Sequence, residues 1–168
     1  MSDEVFGERP PGTAPRDRRS GLELAARWLR SVYRRHPWVA QAMTSFARPT
    51  ASPHAMRYSE WVPRALTGTG LPSRTVLHIH LTLFAHVQGL AMAAGTEVRA
   101  RQDTGLSDAE WMVRNEPHFY AISARGGDPF LNSLFEHDEF GLDLVSLFGF
   151  GPRRMPDNIV VMIGETSA

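Results

Sequence analysis

A chain of 168 residues, 42% hydrophobic and 21% charged, has the size and make-up of one ordinary globular domain. Its formal net charge is zero and all 18 basic residues are arginine, which is no nucleic-acid footprint by itself. Cysteine is absent, so disulfides, thiolate zinc sites and cysteine nucleophiles are excluded. No apolar run approaches the roughly 20 residues that cross a bilayer, and Met1 to Arg19 is too polar and proline-rich for a signal peptide. A soluble chain with no membrane partner is expected, with the cytoplasm as the default compartment.

After Asp3 to Phe6, the stretch from Gly7 to Arg19 carries the Pro, Gly and charge content of an exposed linker. Ser20 and Glu23 have the spacing of a capping box, which predicts a helix from Ser20 to about Arg35. Leu22, Ala25, Ala26, Leu29, Val32 and Tyr33 form its apolar stripe. Pro37 suits the first position of a second helix, Trp38 to about Ser45, ended by Arg48-Pro49. Ser52-Pro53 opens a third, His54 to Thr67, with a kink expected at Pro63 and a stop at Gly68 and Gly70.

From Pro72 to about Arg99 runs the longest apolar segment. Val76, Leu77, Ile79, Leu81, Leu83, Phe84, Val87, Leu90 and Met92 cover nearly its whole circumference, so burial on almost all sides is expected. Ser107 and Glu110 form a second capping box, opening a helix that Pro117 is expected to interrupt. Asp128-Pro129 caps a short helix, Phe130 to Phe135, and Asp138 to Phe148 is the last clear one. Ile159 to Ile163 fits a strand, a helical turn or a docked tail equally well. With no internal repeat and no alternating segment long enough for a sheet, the fold class is all-α, a bundle of about six to seven helices.

Three segments together resemble the C-terminal regulatory domain of TetR-family transcriptional regulators, in the branch that holds the tetracycline repressors. They are Tyr33-Arg-Arg-His-Pro-Trp38, the stretch from Thr69-Gly-Leu-Pro72 to Val87-Gln-Gly-Leu90, and Phe140-Gly-Leu-Asp143 with Leu144, Leu147 and Phe148. The likeness covers about Ser20 to Phe148, and the chain divides on this reading into a connector remnant and linker (1–19), the regulatory domain (20–150) and a tail (151–168). The resemblance implies a homodimer in which the long central helix and the last helix of each subunit pair as an intersubunit four-helix bundle. The interface is then expected at Leu83, His86, Val87, Gly89, Leu90, Ala93, Ala94, Phe140, Leu144, Leu147 and Phe148. A helix apolar all round supports this, because a symmetric partner covers the extra face; the alternative is the core helix of a monomer. Family members also carry an N-terminal helix-turn-helix head of about fifty residues, which Met1 to Arg19 cannot supply. Operator DNA is therefore expected as a partner only through such a head, and Met1 to Gly7 looks like the tail of the helix that joins it.

The same resemblance implies a small hydrophobic or amphipathic effector inside each subunit. On the central helix, Leu77, His80, Leu81, Phe84 and Gln88 recur at steps of three and four, two polar groups on an apolar stripe. Met43, Phe46, Met56, Tyr58, Trp61, Trp111, Met112 and Phe119 are candidates to complete the wall, against a reading of plain core packing for each. His78, His80 and His86 cannot share one metal ion, since helix residues two apart point about 200° from each other. No metal or other cofactor is expected, and neither is catalysis: Asp103, Asp108, Glu110, Asp138 and Glu139 read as caps and helix starts. The function expected is effector sensing and dimerisation for a transcriptional repressor, with a dimeric helical scaffold that has no effector or DNA function as the alternative.

Overall fold

The computed structural model describes residues 2–7, 17–43, 53–126, 129–136 and 143–166. Among these the regular elements are helices: α1 Ser2–Gly7, α2 Arg18–Arg35, α3 Pro37–Ala42, α4 Pro53–Ser59, α5 Trp61–Ala65, α6 Ser73–Thr104, α7 Asp108–Gly126, α8 Pro129–Glu136 and α9 Leu144–Thr166. The all-α class is what the missing two-residue periodicity requires. They fall into two compact units, one of residues 1–93 with 145–168 and one of residues 94–144.

In the first unit α2 is the organising element. It begins a turn earlier than the sequence predicts, and the capping box of Ser20 and Glu23 is not formed. Asp17 is the N-cap, its carboxylate accepting from the Ser20 amide at 2.9 Å and from the Ser20 hydroxyl at 2.7 Å. Those bonds favour the ionised form and hold the Asp17 pKa below its ordinary value. Glu23 instead accepts from Arg27, one turn on, at 2.6 Å. The apolar stripe of α2 is buried as its spacing demands, and Trp28 joins it.

Pro37 starts α3, where no intrahelical donor is needed, and the helix ends at Ala42. The single kinked helix expected over 54–67 is two helices broken at Glu60. Pro63 then lies in the first turn of α5, so its missing N–H leaves no bond unmade and causes no kink. Val5 and Phe6 of α1 are buried with Tyr58 of α4 and the α2 stripe, so this N-terminal piece is part of the core.

Helix α6 is, contrary to expectation, long and apolar enough to cross a bilayer by length and composition. Within the first unit, however, it buries Ile79, His80, Leu83, Phe84, Val87 and Gln88 on one side. The opposite side presents Leu77, Leu81, Ala85, Gly89 and Met92, of which Leu77 and Met92 are well exposed. Burial on nearly all sides is therefore not met inside one chain.

The segment after Phe148 continues as helix: α9 runs unbroken through Pro152 and Pro156 to Thr166. It buries Phe148, Pro152, Pro156 and Ile159, an i, i+4, i+8, i+11 series. Its contact with α6 is close, since a Cβ on Gly151 would lie 2.5 Å from the His86 ring. Arg19 at the start of α2 reaches α9, donating to the Arg153 carbonyl at 2.8 Å and pairing with Asp157.

In the second unit, Gly105 closes α6 in the left-handed region (φ 70°) and donates to Arg101 O at 2.9 Å. The box of Ser107 and Glu110 opens α7: the Ser107 amide donates to Glu110 at 2.8 Å and the Glu110 amide to the Ser107 hydroxyl at 3.3 Å. Helix α7 runs through Pro117 without the expected interruption. Ser123 of α7 and Asn132 of α8 are joined by a side-chain hydrogen bond at 2.5 Å.

Candidate functional site

Helices α1, α2, α4, α5 and α6 each send an aromatic ring into one cluster. Trp28 stacks on Tyr58 with ring centroids 4.9 Å apart, and Trp61 lies 5.1 Å from Trp28 and 5.6 Å from Tyr58. Phe6 closes one end, 5.8 Å from Trp28 and 6.3 Å from Tyr58. At the other end Tyr58 meets His80 at 5.9 Å, His80 meets Phe84 at 6.4 Å, and Tyr33 meets Phe84 edge-on at 6.4 Å. Such tilted and edge-on geometry is how aromatic quadrupoles pack favourably. Phe6 on the first helix is thus joined through rings in contact to Phe84 on α6.

Polar atoms within this cluster are unevenly served. The Tyr58 hydroxyl donates to Ala25 O at 3.3 Å. Gln88, one turn beyond Phe84, donates through Nε2 to Ala40 O at 2.7 Å. The Tyr33 hydroxyl and His80 Nδ1 are buried and make no hydrogen bond. Burial pushes both tyrosine pKa values far above the ordinary range, and for Tyr58 the nearby Tyr33 adds to this. Burial lowers the His80 pKa, because the imidazolium would lose its hydration without gaining a counter-charge. All three groups are therefore neutral at pH 7.

The structure brings together Tyr58, Trp61, His80 and Phe84, with Gln88 beside them and Met43 packed against the same core. It does not bring in Met56, which is 65% exposed, or Leu77, which is 51% exposed; Leu81 is half-buried on the outward side of α6. Phe46 lies outside the described residues. Trp111, Met112 and Phe119 belong to the second unit, where Trp111 and Phe119 pack with centroids 6.0 Å apart. Sequence reasoning missed Phe6, Trp28 and Tyr33 as members of the cluster. Tyr33 was legible only as part of the α2 apolar stripe, and its hydroxyl was the signal that one member of that stripe would need a partner.

The residues expected at an interface are also divided. Leu83, Val87 and Phe148 are buried inside the chain, with Leu83 0% and Val87 1% exposed. Leu83 and Val87 face the core from α6 and Phe148 from α9, so no second chain is needed to cover them. His86 is half-buried and stacks on Phe148 at 6.4 Å, and its Nε2 makes no hydrogen bond. Leu90, Ala93 and Leu144 are half-buried, while Gly89, Ala94 and Leu147 are exposed. Phe140 lies outside the described residues.

A shallow cleft of about 250 Å³ separates α2 from α9, lined by Arg27, Arg30, Phe148, Pro152 and Arg153 among others. Its cations are engaged locally: Arg27 by Glu23, Arg30 over the Phe148 ring at 4.3 Å, and Arg153 Nε by Gly149 O at 2.8 Å.

Residues 11–148 match the model of the tetracyclin repressor-like C-terminal domain family. The chain belongs to this family. It is also 34% identical over 147 residues to the HTH-type transcriptional repressor DrrR1 of Streptomyces coeruleorubidus, a match that covers 88% of this chain and 53% of that protein. The chain thus spans about half the length of the curated relative. Both likenesses support a tetracycline repressor-like regulatory domain in a transcriptional regulator.

Proposed function

We propose that this chain is the effector-sensing and dimerisation domain of a TetR-family repressor, and that a small, largely apolar effector binds at the Tyr33, Tyr58, His80 and Phe84 end of the aromatic cluster. The observation that carries the reading is the unbroken series of ring contacts from Phe6 of α1 to Phe84 of α6. A ligand that displaces His80 or Phe84 must disturb Tyr58, and Tyr58 cannot move without disturbing the helix that holds Phe6. Close-packed interiors transmit such shifts because they have no slack to absorb them. The effector works only by its preference for one of two arrangements of α1, and a coupling of about 1 to 3 kcal/mol is enough for derepression.

Operator binding, on this reading, belongs to a helix-turn-helix segment outside these 168 residues, as the name of the relative supports. The functional unit is a homodimer in the cytoplasm. Its interface takes the outward stripe of α6, Leu77, Leu81, Ala85, Gly89 and Met92, and the exposed apolar residues Leu147, Phe150, Val160 and Val161 of α9. Ala85 and Gly89 permit close helix approach there.

Hydrogen exchange tests the sensing claim. Small aromatic probes, charged and uncharged, are added to the chain and the protection of residues 2–7 is followed. A bound probe is expected to change that protection; binding that leaves residues 2–7 untouched would show a pocket uncoupled from α1.

A further inference from the structure

The cleft between α2 and α9 holds two guanidinium groups that are fixed in place without being neutralised. Arg30 of α2 is half-buried, with its Cζ 4.3 Å over the Phe148 ring of α9. The ring attracts the cation through its quadrupole but offers no oxygen to its N–H donors. Arg153 folds back along α9: its Nε donates to the Gly149 carbonyl at 2.8 Å, and its Nη2 would lie 3.1 Å from a Cβ on Gly149. A carbonyl seats this guanidinium and leaves its charge whole.

The carboxylates nearby are already engaged. Glu23, which also lines the cleft, pairs with Arg27 at 2.6 Å, and Asp157, one turn beyond Arg153, is shared by Arg19 and Arg154. Among the described residues neither Arg30 nor Arg153 has an ion pair. Their charges stand uncompensated, seated on the consecutive residues Phe148 and Gly149.

This is the chemistry that recognises an oxyanion. A half-buried guanidinium is screened less than an exposed one, and its fork of donors matches both oxygens of a carboxylate. The cleft also presents Val145, Phe148 and Pro152, the last two buried, an apolar wall that an inorganic anion cannot use. Its volume of about 250 Å³ is that of roughly eight waters in the liquid, which suits a small organic acid and not a nucleotide.

We propose that this cleft binds a small amphipathic carboxylate of about the size of benzoate, its oxygens held by Arg30 and Arg153 and its apolar body laid on Phe148 and Pro152. The site shares no residue with the ring cluster and stands whether or not that cluster takes an effector. Because α2 forms one wall and α9 the other, a bound acid ties the two helices together and stabilises the folded chain.

Chemical-shift titration of the isotope-labelled chain with benzoate, benzyl alcohol, benzylammonium and inorganic phosphate at neutral pH tests this. Benzoate is expected to bind about tenfold tighter than each of the other three, the factor that one charge-assisted hydrogen bond supplies. Its largest shifts should fall in residues 145–153, and it should raise the unfolding midpoint. Arg30→Gln should weaken benzoate about tenfold and leave benzyl alcohol unchanged. Gly149→Ala keeps every charge and favours helix, but it sets a Cβ against the Arg153 guanidinium. It should weaken benzoate severalfold with no fall in the unfolding midpoint, which separates a built site from general attraction to a basic surface. If Arg30→Gln fails to fold, Gly149→Ala decides alone. Benzoate no tighter than benzyl alcohol, or indifferent to these substitutions, would overturn the proposal. So would shifts centred on Tyr58, His80 and Phe84, which would place benzoate in the ring cluster. Phosphate bound as tightly as benzoate would overturn the ligand class, showing anion binding that makes no use of the apolar wall.

Discussion

A Cβ atom placed on Gly21 of α2 would lie 2.7 Å from Ala65 Cβ of α5, closer than real carbon atoms approach. The two helices meet there without a side chain between them, and this fixes how α5 presents Trp61 to Trp28. Gly21→Ala gains about 1 kcal/mol in helix propensity but forces α5 away from α2 at a cost of about 1 to 3 kcal/mol. Net loss of stability in a denaturant titration is expected. The double substitution Gly21→Ala with Ala65→Gly removes the clash and should recover most of it.

Gln88 supplies a donor that the backbone of α3 lacks. That helix ends at Ala42, so the Ala40 carbonyl is among the last four that have no intrahelical partner, and Gln88 Nε2 meets it at 2.7 Å. Gln88→Leu keeps the apolar volume and strands the carbonyl, an expected loss of about 1 to 3 kcal/mol in unfolding free energy. An unchanged midpoint would mean that solvent reaches Ala40 O.

The depressed pKa of buried His80 ties stability to pH. The unfolded chain takes up a proton near the ordinary histidine pKa of about 6.5, while the folded chain does so only at lower pH. Between those values the unfolded state binds more protons, so stability is full above about pH 6.5 and falls as pH drops below it. Unfolding midpoints measured from pH 8 to 5 should decline less for His80→Phe than for the parent chain, the difference appearing only below about pH 6.5.

What the sequence discloses about this molecule depends on how locally each feature is encoded. The α2 stripe and the Ser107 and Glu110 box depend on spacings of three and four, and the structure shows both. Pro37 starts its helix for an equally local reason. The break at Glu60 and the passage of α9 through Pro152 and Pro156 are tertiary outcomes, in which packing of buried faces outweighs the local cost of proline. Helix α6 encodes its inward side least locally. With apolar residues all round, its periodicity does not say which side faces inward: Leu83 and Val87, expected at an interface, are buried, and Leu77, expected in the pocket, is exposed. The informative residues were the polar ones: His80 and Gln88 mark the inward arc, because a buried amide or imidazole lies where a partner or a ligand is within reach.

The face of α6 that solvent sees gives the dimer prediction. Sedimentation equilibrium of the chain should give twice its 18.7 kDa mass. Leu77→Arg on α6 and Val161→Arg on α9 set a charge on exposed apolar positions, where one protomer alone hydrates it at little cost. In a symmetric dimer the same charge is buried opposite its own copy, without a counter-ion. Each variant should therefore sediment as a folded monomer with helical content unchanged. Leu83→Arg must behave differently, because Leu83 is already sealed inside the chain and an unpaired guanidinium there costs several kcal/mol whatever the assembly state. Loss of fold is expected for Leu83→Arg. A folded monomer from Leu83→Arg together with intact dimers from Leu77→Arg and Val161→Arg would show that α6 turns its other side to the partner.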